Sequence, residues 1–393
     1  MSCPRPRDPR LRRALAALCV TEITSWGVLY YALPVAAADI TATEGWSHGQ
    51  VFTAFSCGLV LSALVGAPVG RLLDRFGPRA VMTVGSLVGV LGLLLVARAP
   101  TLPWFFGAWL LTGVAQSAAL YPPAFAAVTR WYGEARTWPL TVLTLVGGLA
   151  STVFAPLTDA LVGELGWRDA YLVLTVVYGL VTIPLHGLLL TPAWPGHATH
   201  RSRSGRRHAL RLVVRSRRFV ALQVSLTLMG LALFAVTLNL IPLLTSRGLG
   251  HAAAATAFGL VGVGQVLGRV AFAVLPVGHA PHVRTVVIGV LAVVALSVLA
   301  VLPGPALALV AVSVVTGAAR GAFTLLQATA VSDRWGTRDF GSLNGSMLVP
   351  ITAATALAPA AGALAADLLG SHTASALTFA ALAAVGVLIG RRA

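Results

Sequence analysis

The chain has 393 residues, of which 57% are hydrophobic and only 10% charged, and its mean hydropathy is +0.85. Soluble proteins carry roughly a quarter charged residues, so a soluble globular domain is excluded and an integral membrane protein is implied. The formal charge of +16 raises a nucleic-acid reading, which the placement of the basic residues answers below.

A helix needs about 20 apolar residues to cross the hydrocarbon, and the sequence contains twelve such stretches, at 14–38, 49–70, 80–97, 103–128, 138–161, 168–190, 218–243, 252–275, 284–303, 305–331, 341–365 and 373–390. The first follows an Arg-rich start and ends in Ala36-Ala37-Ala38, which imitates a secretory signal. It is too long for a signal core and contains Glu22, so it reads as an uncleaved first span. Trp26 and Tyr30 follow Glu22 at i+4 spacing on one face. They either line a cavity or pack against a neighbouring helix. Spans two and three are joined by Gly70-Arg71-Leu72-Leu73-Asp74-Arg75-Phe76-Gly77-Pro78-Arg79, a tight charged loop. Span four contains Gln116 and Tyr121 and ends near Arg130, with Arg136 beyond it. A basic stretch rich in Ser and His separates span six from span seven. Asn239 lies in span seven, Gln265 in span eight, and Arg320 and Gln327 in span ten.

All 28 basic residues are Arg. With the N-terminus in the cytoplasm, 24 of them fall in the tails and cytoplasmic loops; only Arg98, Arg168 and Arg247 fall outside, and Arg320 lies within a span. This is the positive-inside pattern. It places both termini in the cytoplasm and assigns the basicity to topology and anionic lipid, with no nucleic-acid partner. The cysteines Cys3, Cys19 and Cys57 lie in a tail or in spans, so no disulfide is expected. Exclusive use of Arg, with abundant Ala, Gly and Val, points to a GC-rich bacterial gene and to the bacterial cytoplasmic membrane.

The two halves repeat. Gly66-Ala67-Pro68-Val69-Gly70-Arg71 matches Gly264-Gln265-Val266-Leu267-Gly268-Arg269 at an offset of 198. Thr112-Gly113 matches Thr316-Gly317 at 204, and Ala155-Pro156 matches Ala358-Pro359 at 203. The pattern divides the chain into a six-helix bundle at 1–191, a linker at 192–217 and a second six-helix bundle at 218–393. Small-xxx-small pairs at Gly66/Gly70, Gly85/Gly89, Gly264/Gly268, Gly317/Gly321 and Gly341/Gly345 are expected at helix contacts.

The charged loop 70–79, between two spans in a duplicated twelve-span chain, resembles the loop between helices 2 and 3 of the major facilitator superfamily. The resemblance implies an all-α membrane fold of two pseudo-symmetric six-helix bundles and secondary transport by alternating access. It implies a conformational latch built from Gly70, Asp74, Arg75, Gly77 and Arg79, with Arg130 and Arg136 as partners of Asp74. It also places spans 1, 4, 7 and 10 around a central cavity, and so puts Arg320 there, with Gln116 as its repeat mate. A guanidinium near the bilayer midplane costs about 2.5–3.5 kcal/mol on insertion scales. It either grips an anionic substrate or pairs with an internal acid or with carbonyls. Gln116, Tyr121, Trp26, Tyr30, Asn239, Gln265 and Gln327 are the further candidates for the substrate site; each also suits interhelical bonding. Glu22 is the one acid well inside a span, and either carries a proton, forms a gate ion pair or makes a packing bond.

The wording around residues 45–56, Arg130-Trp131-Tyr132 and Gly166-Trp167-Arg168 looks like the monocarboxylate-porter and oxalate/formate-antiporter-like branch. Two departures are plain: span one has no base, and span eight has Arg269 without an Asp-Arg pair. The branch implies a small organic anion, with protons as coupling ion and a monomer as working unit. The sequence shows no nucleophile–base pair, metal-ligand cluster or nucleotide loop, so no enzyme activity or cofactor is expected. A proton-antiport exporter of lipophilic compounds and a non-transporting membrane sensor of the same fold are the alternatives.

Overall fold

A computed structural model describes residues 8–194, 212–274, 281–336 and 340–391. Every regular element among them is helical, and no strand occurs there. The chain divides into two compact units, Met1–Ala198 and Thr199–Ala393. Most of the expected linker, and Arg338, lie outside the described residues.

The N-terminal unit begins with α1, Pro9–Glu44. Asp8 caps it by accepting from Arg10 N at 2.8 Å, and Gly45 ends it at φ 71°. A π-helical turn at Gly27–Tyr31 interrupts its middle. The next helix starts on a capping box: Gln50 N donates to Ser47 Oγ at 3.1 Å and Ser47 N donates to Gln50 Oε1 at 2.9 Å. Helix continues through His48–Ala97, 50 residues. Straight, that would be about 75 Å, against a hydrocarbon thickness of about 30 Å. Gly77, at φ 78° and ψ 170°, breaks it, a conformation that favours Gly. The two arms are α2 (48–76) and α3 (78–97). Gly58 on one arm and Gly92 on the other both meet the 109–113 turn of the following helix, so the chain reverses at Gly77.

Helix α4 comprises Leu102–Ala119 and Tyr121–Tyr132, with a break at Leu120. The break follows from Pro122 and Pro123, which lack the amide hydrogens that would continue the ladder. Thr137–Leu189 holds two helices, α5 (137–165) and α6 (167–189), which meet at Gly166, φ 76°. One clasp ties their junction down. Trp167 N donates to Asp39 Oδ2 at 2.9 Å. Arg168 pairs with Glu44 at 2.9 Å and donates to Ala97 O at 3.1 Å. The ends of α1, α3 and α6 are thereby joined.

The C-terminal unit contains α7 (Arg217–Leu238, continued by Leu240–Thr245), α8 (His251–Val274), α9 (Pro281–Val301), α10 (Ala306–Thr329), α11 (Phe340–Leu369) and α12 (His372–Gly390). Arg247 closes one end by donating to Leu302 O, Ala300 O and Thr373 Oγ1. Among the described residues nine helical stretches are long and apolar enough to cross a membrane. Divided at Gly77 and Gly166, and completed by α4, they give the twelve helices named here.

The repeat is visible in packing. In the first unit Gly58 and Gly113 bring the α2 and α4 backbones together; in the second, Gly264, Gly268, Gly317 and Gly321 do so for α8 and α10. Gly113 meets the Gly58 carbonyl and Gly317 meets the Val261 carbonyl, so the packing offset is 203–204 throughout. The offset of 198 read from Gly66 and Gly264 is corrected accordingly. Gly66, Gly70 and Gly345 have nothing within 4 Å of a Cβ position, whereas Gly85 and Gly89 press on Ala118 and Tyr178. The short motif repeated, but the facing residues are set one turn and more away.

Gly317→Ala is expected to cost about 1–3 kcal/mol by overpacking a backbone contact, while Gly66→Ala leaves stability unchanged. Denaturant unfolding of the two variants in detergent separates them.

Candidate functional site

In the N-terminal unit, five of the residues singled out from sequence converge. Glu22 is fully buried on α1 and accepts a hydrogen bond from Trp26 Nε1 at 3.1 Å. Its Oε1 has no hydrogen-bond partner. The Trp26 ring packs on Tyr30 at 5.1 Å and on Tyr121 of α4 at 5.0 Å. Gln116, 1% exposed, donates from Nε2 to Leu29 O at 2.8 Å. That carbonyl belongs to the π-helical turn, where the altered ladder leaves an acceptor for a neighbouring helix; such turns recur at functional positions. Gln116 Oε1 is buried without a partner. The cluster combines one carboxyl group, an amide and aromatic faces in the buried interior of the unit.

In the C-terminal unit, Arg320 is 2% exposed. Its Nη1 donates to Thr237 Oγ1 on α7 at 3.1 Å, and its guanidinium carbon lies 4.0 Å from the Phe234 ring centroid. A hydroxyl and an aromatic face hold the group in place. Asn239 bonds Ala235 O at 2.9 Å and Pro359 O at 3.2 Å, which ties α7 to α11. Gln265 is buried with Nε2 unpartnered. Gln327 is half-buried on α10, about two turns from Arg320. Thr237 and Phe234 were not singled out in the sequence; as an ordinary Thr and Phe in an apolar helix they carried no signal.

The expected loop 70–79 is corrected to the last turns of α2, the break at Gly77 and the start of α3, and this joint is built around Asp74. Arg130 Nη2 donates to Asp74 Oδ1 at 2.6 Å. The Trp194 indole lies under the same guanidinium at 4.2 Å and donates to Asp74 O at 3.1 Å. Trp194 also fills the space at Gly77. Arg136 does not join; it donates to Gly133 O at 3.0 Å within its own turn, so its expected pairing with Asp74 is corrected. Arg79 donates to Gly187 O at 2.6 Å, and Arg75 lies 5.0 Å from the Phe76 ring. Gly70 faces open space. In the second unit Arg284 at the start of α9 pairs with Asp333 beyond α10 at 3.5 Å, and Arg334 donates to Thr285 Oγ1 at 3.0 Å.

A family model, the Major Facilitator Superfamily, matches residues 15–306. Monocarboxylate transporter 13 of Bos taurus is 27% identical over 388 residues, 95% of this chain and 86% of that one. Multidrug resistance protein MdtL of Salmonella newport (strain SL254) is 26% identical over 223 residues, 56% of this chain and 53% of that one. The fold matches the crystal structure of a bacterial homolog of the human lysosomal transporter Spinster, inward-facing and unoccupied, with a TM-score of 0.78 and 14% identity over 98% of this chain and 97% of that one. Twelve apolar helices among the described residues fit a multi-pass membrane protein, and the family match makes it a transporter of a small molecule and not an enzyme. The chain belongs to the Major Facilitator Superfamily.

A double-mutant cycle on Asp74→Asn and Arg130→Gln, read by unfolding, is expected to give a coupling of about 0.5–1 kcal/mol, as for a partly exposed pair, and to shrink in high salt. Trp194→Ala is expected to lower that coupling, because the indole holds both partners.

Proposed function

We propose that the chain is a proton-linked carrier of small monocarboxylates, working as a monomer in a bacterial cytoplasmic membrane with both termini inside. The observation that carries this reading is Arg320, a guanidinium buried in an apolar unit and held by Thr237 and Phe234. A planar guanidinium matches a carboxylate with two parallel hydrogen bonds. The relative named a monocarboxylate transporter, aligned along 95% of the chain, supports the same substrate class. Glu22 is the proton carrier in this reading, and the Trp26, Tyr30, Tyr121 and Gln116 cluster provides the apolar and amide contacts to the substrate's body. Asn239, Gln265 and Gln327 are the further substrate contacts of the C-terminal unit in this reading. The Asp74–Arg130–Trp194 group is the latch on the arginine-rich, cytoplasmic end. In this reading the six-helix bundles are 1–191 and 218–393, with 192–217 as their linker, and transport is by alternating access.

The test is uptake of labelled lactate, pyruvate and propionate into proteoliposomes with and without an inward proton gradient. Wild type is expected to accumulate at least one acid under the gradient. Arg320→Gln is expected to weaken apparent affinity by about tenfold to a hundredfold, the loss of a charge-assisted bond of about 1.5–3 kcal/mol. Glu22→Gln is expected to keep exchange at equal pH and lose the gradient's stimulation. Absence of uptake of every acid by folded protein overturns the reading. A second reading, export of a lipophilic compound, is favoured by the similarity to MdtL across 56% of the chain; proton-driven ethidium efflux untouched by Arg320→Gln would support it instead.

A further inference from the structure

Helix α6 carries a buried polar stripe that substrate binding leaves unused. Tyr171, Thr175, Tyr178, Thr182 and His186 follow one another at three- or four-residue spacing on one face, and each is at most 2% exposed. The stripe faces α3 and α1. His186 Nδ1 lies 2.9 Å from Ser86 Oγ of α3, and the Ser86 hydroxyl donates to Met82 O at 3.0 Å. With its one proton committed, Ser86 accepts from the imidazole, so Nδ1 carries the hydrogen and Nε2 is the acceptor. That Nε2 is buried with no partner. Two turns along α6, the Tyr178 hydroxyl lies beside Ser25, Ser86 and Thr182 and close to Glu22. Its ring and hydroxyl fill the space at Gly89 of α3. The Tyr178 hydroxyl, Ser25 Oγ and Glu22 Oε1 likewise have no hydrogen-bond partner. Unsatisfied polar atoms inside an apolar bundle are costly and rare. Here they lie on three packed helices between Glu22 and the arginine-rich end, where Arg79 holds the Gly187 carbonyl beside His186.

We propose that His186, Ser86 and Tyr178 form a proton relay between that end of the unit and Glu22. The proposal rests on the reading of Glu22 as proton carrier. An arriving proton binds His186 Nε2 while the Nδ1 proton passes to Ser86 Oγ. Ser86 gives its own hydroxyl proton to the Tyr178 oxygen, and Tyr178 gives its proton to Glu22 Oε1. Four O–H or N–H bonds form and three break, and the incoming proton is the difference; ring and hydroxyl rotation then restore the starting tautomer. The other titratable or charged groups beside the path are Cys19 on α1, adjacent to Glu22, and Arg79 on α3.

The experiment is pH-jump infrared difference spectroscopy on the full chain in lipid nanodiscs, which requires no substrate. The signal is the protonated-carboxyl band that Glu22→Gln removes. In wild type the band is expected to rise after a drop in pH. In His186→Phe and Tyr178→Phe it is expected to rise at least about tenfold more slowly to the same final amplitude. A purely structural role for these residues alters amplitude or thermal stability and leaves the rate unchanged, and a wild-type rate in both variants overturns the relay alone. A folded wild type with no titrating Glu22 band overturns the relay together with the proton-carrier role. Ser86→Ala, the smallest change on the path, repeats the rate measurement if either aromatic variant fails to fold.

Discussion

Hydrocarbon offers no hydrogen bonds, and nearly every feature of this molecule follows from that constraint. It requires the backbone to close its own hydrogen bonds, which is why the described elements are helices. It limits each crossing to about 20 residues, which is why the fifty-residue run between His48 and Ala97 must reverse at Gly77. It also makes each buried polar side chain an exception that needs a reason. Arg320 and Glu22 are two such exceptions, one in each unit.

The arrangement of polar groups is uneven in an informative way. At the helix ends, charges are paired: Arg168 with Glu44 and Ala97, Arg247 with the carbonyls of Ala300 and Leu302, Arg130 with Asp74 and Trp194. These groups fix helices to one another. Within the bundles, Gln116, Glu22, Tyr178 and His186 each keep an atom without a protein partner. The paired ends hold each unit together, and the open atoms leave its interior able to take a further hydrogen bond.

Much of this was legible in the sequence, because it depends on local composition. Long apolar runs and the charged turn at 70–79 identify the spans and the family. The Asp74–Arg130 proximity followed from the resemblance. Contacts that depend on register were not legible. The glycine offset taken from Gly66 and Gly264 failed because a short motif recurs at more than one turn of a helix, and only packing shows which turn meets its neighbour. Trp194 stood in a polar stretch with no periodicity, yet it seats the latch. The α6 stripe could have been found from the spacing of Tyr171, Thr175, Tyr178, Thr182 and His186. It was hidden because each residue alone is unremarked in an apolar span and the histidines as a set look scattered.

The central claim is that a buried guanidinium selects the substrate by its charge. Calorimetric titration of the purified protein with propionate and with propionamide, which has nearly the same shape and no charge, tests it most directly. The account predicts binding of propionate, at least about tenfold weaker binding of the amide, as expected when a charge-assisted hydrogen bond is lost, and loss of that preference in Arg320→Gln. Equal affinity for the two compounds in wild type would contradict it.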